Sequence, residues 1–410
     1  MNQSGPSTTE LTSYPLVRQC PYRPAEETSK LKEDGPVTRV RLYDGTVSWL
    51  VTGPSEARAL LSDDRTTNKT NFENYPVLDE RHLHMRATRE MAQEEDGGFA
   101  GALFGVDPPE HTRQRQILRP SFTVRRVAAY RAEIQQIVDE RLNEMLEQGP
   151  PADFITAFAG PVPILTVSAF LGIPAEDRQH LQPAIADLFD PERADEAVNE
   201  LTGYLTKQVE ARQASRGAGL LNDLVENHLQ RGELPLEELI GITLAILVAG
   251  TVTTTSTIAL GTLALTDHPD QLAALHDDPG LIPGAVEELL RYLSVVEQLA
   301  RVATADIELG GVTIKAGDGV LVSFAGANLD PSVTTHPLRL DVTRPPTNHL
   351  AFSHGIHHCM GRNLARLELD IAFRGLISRV PTLRAAAPIS EIPFYDDATV
   401  PRLLAFPVTW

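Results

Sequence analysis

The sequence predicts a mainly α-helical fold with a small β region, and three observations carry that reading. Most segments space apolar residues at three and four with charges between them, two stretches alternate instead, and one long segment is uncharged. The first β signal is residues 37–51, VTRVRLYDGTVSWLV, which alternate and turn at Asp44-Gly45. Helical spacing then holds at 124–147, 155–172, 196–213 and 218–231. Residues 239–266 carry no charge at all, a length that would cross a bilayer. The cluster of hydroxyls at 251–257, interrupted by Val252, is poorly suited to hydrocarbon. Pro235 in a first turn, Glu237 and Glu238 at the positive dipole end, and a stop at His268-Pro269 delimit a helix. We read it as a long helix, dry on all sides, through the centre of a protein that spans no membrane. A second β-like stretch, 307–324, turns at Gly310-Gly311 and Gly317, and helical spacing returns at 361–380. No repeat or linker divides the chain, so a flexible lead of residues 1–13 and a single domain over 14–410 are expected. A minor sheet, many helices and one buried helix suit a large α fold that encloses a cofactor.

Composition narrows the function. A formal net charge of −19 argues against a nucleic-acid surface, because a phosphate backbone would be repelled. Hydrophobic residues at 42% suffice for a sizeable core. The two cysteines, Cys20 and Cys359, exclude a disulfide framework and favour a reducing cytoplasm. The start, MNQSGPSTTELTSYP, has neither a basic nor an apolar region of the kind a secretion signal carries.

The strongest chemistry lies in Phe352-Ser353-His354-Gly355-Ile356-His357-His358-Cys359-Met360-Gly361, just ahead of the last helix. A thiolate that ligates iron must be deprotonated, shielded from water and met by backbone donors. A cysteine before a helix N-terminus gains the positive dipole end and free amides, which lower its pKa. Gly355 and Gly361 let the backbone pass close to a flat macrocycle, where a Cβ could collide. Phe352 can pack beside the sulfur, and His357 can reach a propionate. Thiolate ligation pushes electron density to iron and favours O–O cleavage. Two plainer readings compete. A lone cysteine among apolar neighbours is ordinarily a small core residue. His354, His357, His358 and Cys359 could also hold zinc, but structural zinc takes two ligand pairs across a loop, and no second pair exists.

The pattern F-x-x-G-x-H-x-C-x-G resembles the haem-binding signature of cytochromes P450, with Ser353 where a glycine is usual. The resemblance covers nearly the whole chain and is closest to actinobacterial members that act on natural products. It implies the cytochrome P450 fold, with haem b (iron protoporphyrin IX) between the central helix and the helix after the cysteine, and Cys359 as the axial ligand of its iron. Glu288 and Arg291 share a helix face and alone would be an exposed ion pair. They resemble the family's buried E-x-x-R pair, which closes with an arginine ahead of the cysteine, here Arg344; a planar guanidinium explains why lysine would not serve. Asp107-Pro108-Pro109 opens a helix with His111 and Arg115 four apart, which alone reads as a solvated face. By resemblance, His111, Arg115, Arg301, His349 and His357 bind the propionates. The segment 327–331 also fits, although its usual arginine is Leu329.

In the central helix, Ala249-Gly250-Thr251-Val252-Thr253-Thr254 matches the family motif A-G-x-acid-T-T. Hydroxyls within a helix ordinarily bond back one turn. The resemblance implies that Ala249 borders the cofactor, Gly250 permits close approach of the iron-bound ligand, and Thr253 holds water and proton beside dioxygen. Val252 occupies the acid position and carries no proton, so delivery must use Thr253, Thr251, water or the substrate. Otherwise the enzyme is specialised for hydrogen abstraction and coupling. Substrate contacts are expected from the loop 71–104 with Arg81, His82, His84 and Arg86, and from 184–189. They are also expected from Leu247, Val248, Val252, Val295, Glu297, Gln298, Thr399 and Val400.

No flavin or nicotinamide fingerprint is present, so electrons are expected from a separate ferredoxin and ferredoxin reductase. Arg113, Arg119, Arg125, Arg126, Arg362 and Arg366 form the expected docking patch. The expected function is a cytoplasmic, monomeric haem-thiolate oxidoreductase that uses dioxygen to hydroxylate a small secondary metabolite. Oxidative coupling of aromatic substrates, such as tryptophan-containing cyclic dipeptides, is the alternative reaction. A haem-based sensor or carrier is the alternative of another class, and it would normally attach an output module.

Overall fold

The uncharged segment forms the 32-residue helix Leu236–Asp267, preceded by Pro235 in extended conformation and with Glu237 and Glu238 in its first turn. The computed structural model describes residues 11–80, 102–188, 193–395 and 399–410. Residues 1–10 of the lead, residue 189, and the charged positions Arg81, His82, His84 and Arg86 lie outside these. The central helix is long and apolar enough to cross a membrane by length and composition. Instead it packs against the helices Pro161–Leu171, Ala194–Ala214, Ile282–Leu293 and Arg362–Arg379, forming the middle of the main core.

Two close approaches set that packing. A Cβ on Gly250 would stand 2.8 Å from Cγ2 of Val167, and one on Gly261 would stand 2.8 Å from Cζ of Phe373. Gly250 therefore makes room for the neighbouring helix. The helical segments otherwise follow the sequence spacing with local breaks. Residues 124–147 divide into Val124–Ala128 and Arg131–Gln148, and a π-turn, Ile155–Ala159, precedes Pro161–Leu171. Residues 218–231 form Gly219–Leu224 followed by a π-turn at Val225–Leu229.

The hairpin forms as expected, with Val37–Arg41 antiparallel to Val47–Val51. Gly319–Ser323 joins it in parallel, Leu50 beside Leu321. The neighbouring strand, Gln298–Ala303, was not legible as one: it is covered on both faces, so its sequence does not alternate. Thr66–Thr67 completes this five-stranded sheet. Phe324, expected in a strand, instead begins the helix Phe324–Asn328, whose cap is the Ser323 hydroxyl accepting from the Gly326 amide. Two residues assigned to the flexible lead are tied down. Thr12 accepts from the Arg41 amide at 2.9 Å, and Ser13 bridges the same residue.

One buried carboxylate holds the approach to the cysteine. Glu288 receives Arg291 at 2.8 Å through both oxygens, and Arg344 and the Asp341 amide at 3.1 Å. The remaining guanidinium donors reach the carbonyls of Asn328, Pro337, Thr335 and Arg339. Asn328 then accepts from the Leu350 amide at 2.6 Å. The loop beyond Leu350 needs two left-handed residues, Ser353 at φ +62° and Gly355 at φ +69°. A Cβ on Gly355 would lie 2.1 Å from the Leu61 carbonyl oxygen, so protein backbone alone demands this glycine. The Ser353 hydroxyl is buried without a hydrogen-bond partner among the described residues.

We therefore expect Ser353→Gly to stabilise the protein by about 1 kcal/mol, by relieving a left-handed L-residue. Gly355→Ala is expected to cost more than about 2 kcal/mol. Denaturant unfolding measures both, and a destabilising Ser353→Gly would contradict the strain at that position.

Candidate active site

Cys359 lies between this loop and the N-terminus of the helix Arg362–Arg379. Its amide donates to the Phe352 carbonyl at 2.8 Å and closes the loop. Burial pushes its thiol up, while the Gly361 and Arg362 amides and the charges of Arg362 and Arg115 act in the opposite direction. These are the donors expected of a helix start. A Cβ on Gly361 would stand 4.0 Å from the sulfur. Arg362 also donates to the Cys359 carbonyl, and Arg115 to the His358 carbonyl, both at 2.9 Å.

Four of the five expected anion-binding residues converge from separate elements. His111 and Arg115 come from the helix Glu110–Leu118, Arg301 from the strand Gln298–Ala303, and His357 from the cysteine loop. The rings of His111 and His357 are 3.9 Å apart between centroids, tilted by 36°. Burial, then the Arg115 charge, hold His111 down to about 4, with Asp107 opposing. Burial, His111, Arg301 and Arg115 hold His357 down to about 2. Arg301 is buried and, among the described residues, donates only to the adjacent Ala300 carbonyl. Nε2 of His111 is buried without a partner among the described residues. The nearby carboxylate, Asp107, accepts from the Asn68 amide and the Thr67 hydroxyl. Asn68, which sequence reasoning missed, also reaches the His357 ring at 2.8 Å. A buried group of nitrogen donors with so little negative charge fits an anionic ligand, as the two propionates of haem require.

His349 is not committed to this cluster. Its Nε2 meets Glu287 at 3.2 Å, and its ring is 6.2 Å from that of Phe352. Arg366 forks onto the same Glu287 at 2.7 and 2.8 Å. Burial raises the Glu287 carboxyl, but the hydrogen bonds and charges of Arg366 and His349 outweigh it and bring it to about 2.

The central helix presents one stripe away from the packed core. Ala249 is exposed, and Val248, Val252 and Thr253 are only partly buried. Leu247 and Thr251, one turn apart, face the core instead, and the Thr251 hydroxyl donates to the Leu247 carbonyl at 2.7 Å. The expected catalytic role of Thr251 and the substrate contact of Leu247 are therefore not supported by the helix phase. Thr253 is on the open stripe, its hydroxyl donating to the Ala249 carbonyl at 2.9 Å.

Other expected contacts point elsewhere. The Glu297 carboxylate pairs with Arg18, and the Gln298 side chain accepts from the Tyr14 hydroxyl, so both serve the N-terminal segment rather than a substrate. Val295 is buried, while Thr399, whose carbonyl accepts the Glu297 amide at 3.1 Å, and Val400 are partly buried. The arginine patch is also thinner than expected. Arg113 pairs with Glu110 and Glu238, Arg126 with Asp223, and Arg366 with Glu287. Arg119 and Arg125 remain exposed near Val124, with Arg362 partly exposed.

The chain matches the family model described as Cytochrome P450 over residues 281–380. It is 42% identical to the pentalenic acid synthase of Streptomyces avermitilis, over 100% of both proteins. It is also 42% identical to the vitamin D3 dihydroxylase of Streptomyces griseolus, over 99% of this chain and 98% of that protein. The crystal structure of cytochrome P450 MoxA from Nonomuraea recticatena superimposes with a TM-score of 0.90 at 36% identity, covering 97% of this chain and 98% of that one. The mycinamicin VIII C21 methyl hydroxylase MycCI from Micromonospora griseorubida gives 0.88 at 34% identity, covering 98% and 100%. Likeness that runs from end to end along both the sequences and the structures places this chain in the cytochrome P450 family.

Proposed function

We propose that this monooxygenase hydroxylates an apolar secondary metabolite at a haem b held by Cys359. The observation that carries the reading is the convergence of His111, Arg115, Arg301 and His357, which leaves buried donors to meet two propionates. When bound, the haem supplies dioxygen activation and substrate oxidation at a thiolate-ligated iron. The remaining work belongs to the protein. Gly361 and Arg362 amides stabilise negative charge on the sulfur. Val248, Ala249 and Val252 offer an apolar wall that favours a neutral, hydrocarbon-rich substrate. Three relatives are named for making pentalenic acid, for dihydroxylating vitamin D3 and for hydroxylating a methyl group of mycinamicin VIII, which supports a hydroxylase of small natural products.

Proton supply is the unusual part. Thr253 holds its proton toward the Ala249 carbonyl, so Oγ1 is free to accept from water or from a substrate hydroxyl. To donate forward it must break that back-bond. Val252 cannot refill it, which slows delivery and exposes the reaction to unproductive loss of reducing equivalents. The same valine supports the second reading, aromatic coupling, in which no oxygen is inserted.

Electrons are proposed to come from an acidic ferredoxin, served by its own reductase. It would dock on Arg119, Arg125 and Arg362, beside the exposed Val124 and Ile356. We further propose a cytoplasmic monomer built as one domain over residues 14–410, with Thr12 and Ser13 tied to it through Arg41; both cysteines are free thiols.

Three outcomes are expected. Turnover under isotopically labelled dioxygen yields a product heavier by one labelled oxygen atom, whereas loss of two hydrogens without label would establish coupling. Val252→Glu raises the fraction of electrons recovered in hydroxylated product by about three-fold or more, a modest part of the gain that general acid catalysis can give. No change would show that the relay bypasses this position. The Arg119→Glu, Arg125→Glu double variant reduces by roughly tenfold the rate of reduction by ferredoxin at low ionic strength and flattens its salt dependence. An unaltered salt profile would remove that docking surface.

A further inference from the structure

We propose that Glu287, acting through Arg366 and Phe352, is a positioning residue for the thiolate. The inference rests on the haem-thiolate reading above and extends it to a residue outside the cysteine segment and outside the Glu288 clamp.

Glu287 and Glu288 are adjacent on the helix Ile282–Leu293, and they hold different segments. Glu288 is buried and gathers Arg291 and Arg344, which secures the chain from 328 to 344. Glu287 reaches the helix that begins after Cys359. Its two oxygens take Nε and Nη2 of Arg366 at 2.7 and 2.8 Å, and Oε2 also meets Nε2 of His349 at 3.2 Å. A two-point contact fixes the plane of a guanidinium as well as its position.

That plane then meets the cysteine loop. The Arg366 guanidinium carbon lies 4.5 Å from the centroid of the Phe352 ring, within cation–π range. His349 approaches the same ring at 6.2 Å, tilted by 43°. Phe352 in turn accepts the Cys359 amide at 2.8 Å through its carbonyl. The contacts form a continuous route from one carboxylate to the cysteine: Glu287 orients Arg366 and His349, these two bracket Phe352, and Phe352 is bonded to Cys359. Arg366 is partly exposed, so without its acid the long side chain would turn to water. The ring would lose its cover, and water would gain access to the neighbourhood of the sulfur.

This role differs from the ferredoxin contact expected of Arg366. Docking needs a positive charge at the surface, which lysine also provides. Positioning needs the fork and the flat face, which lysine lacks.

The test uses the full-length haem-loaded protein with no redox partner present, so docking cannot contribute. Glu287→Gln and Arg366→Lys are compared with wild type by the carbon-monoxide spectrum of the reduced protein, the rate at which its red-shifted Soret band is lost in mild denaturant, and the midpoint potential of the iron. Both variants are expected to lose the band at least threefold faster and to show a raised potential. In a Phe352→Leu background, Glu287→Gln is expected to add little. Asp223→Asn, which breaks the exposed pair with Arg126, is expected to change none of the three. Should Glu287→Gln fail to fold, Arg366→Lys decides alone. The proposal is overturned if the variants match wild type in band, decay and potential, or if they lower only the melting temperature. It is equally overturned if Glu287→Gln keeps its full effect in the Phe352→Leu background. A wild-type protein without the red-shifted band would instead sink the haem-thiolate reading itself.

Discussion

Negative charge on a desolvated sulfur is the constraint on which the proposed haem-thiolate site depends. Burial alone pushes the Cys359 thiol toward its neutral form, the opposite of what an iron ligand needs. Directed donors oppose that push without outweighing it, so the thiol stays raised and the remaining stabilisation of an anion falls to the proposed iron. The start of the helix Arg362–Arg379 supplies two amides, Arg362 and Arg115 supply charge, and the Phe352 carbonyl fixes the cysteine amide. The loop can hold this shape because Gly355 tolerates a left-handed backbone against Leu61. Two successive glutamates then brace it from one helix, Glu288 through Arg344 and Glu287 through Arg366.

The anion-binding cluster obeys the same electrostatics with the opposite sign. Two imidazoles and two guanidinium groups are gathered with Asp107 as the nearby carboxylate, and burial, reinforced by the neighbouring charges, favours the neutral forms of both histidines. Such a grouping contributes little to the stability of the polypeptide by itself, because desolvated cations repel one another. On the proposed reading it becomes favourable when a dianion joins them, which would link binding of the cofactor to stability of the fold. Sheet and helices serve this end by delivering Arg301 from a strand covered on both faces and His111 with Arg115 from one helix face.

Much of this was legible in the residues. The hairpin, the central helix and the helix after the cysteine follow from spacing and turn chemistry, although the central helix is not dry on all sides: Ala249 lies on an open stripe. The partnership of Glu288 and Arg291 with Arg344 was readable only through resemblance, since the closing residue is 56 positions away. The Gln298–Ala303 strand escaped notice because burial on both faces erases alternation. Among the hydroxyls of the central helix, sequence could not say which faced the site; helix phase puts Thr253 on the open stripe and Thr251 in the core. Glu297 and Gln298 looked like substrate contacts because their partners, Arg18 and Tyr14, lie near the other end of the chain. His349 and Arg366 were assigned to other roles for the same reason, as neither pattern nor spacing announces a shared carboxylate at Glu287. The contact of Gly250 with Val167 was equally hidden, since the two lie on different helices.

The central assertion is that the Cys359 sulfur is bound to iron as an anion. Electron paramagnetic resonance of the ferric protein, paired with the carbon-monoxide spectrum of the reduced form, examines that bond directly. The account requires a thiolate-type low-spin signal and a red-shifted Soret band in wild type, both absent from Cys359→Ser. Retention of either feature by the serine variant, or their absence from the wild-type protein, would contradict it.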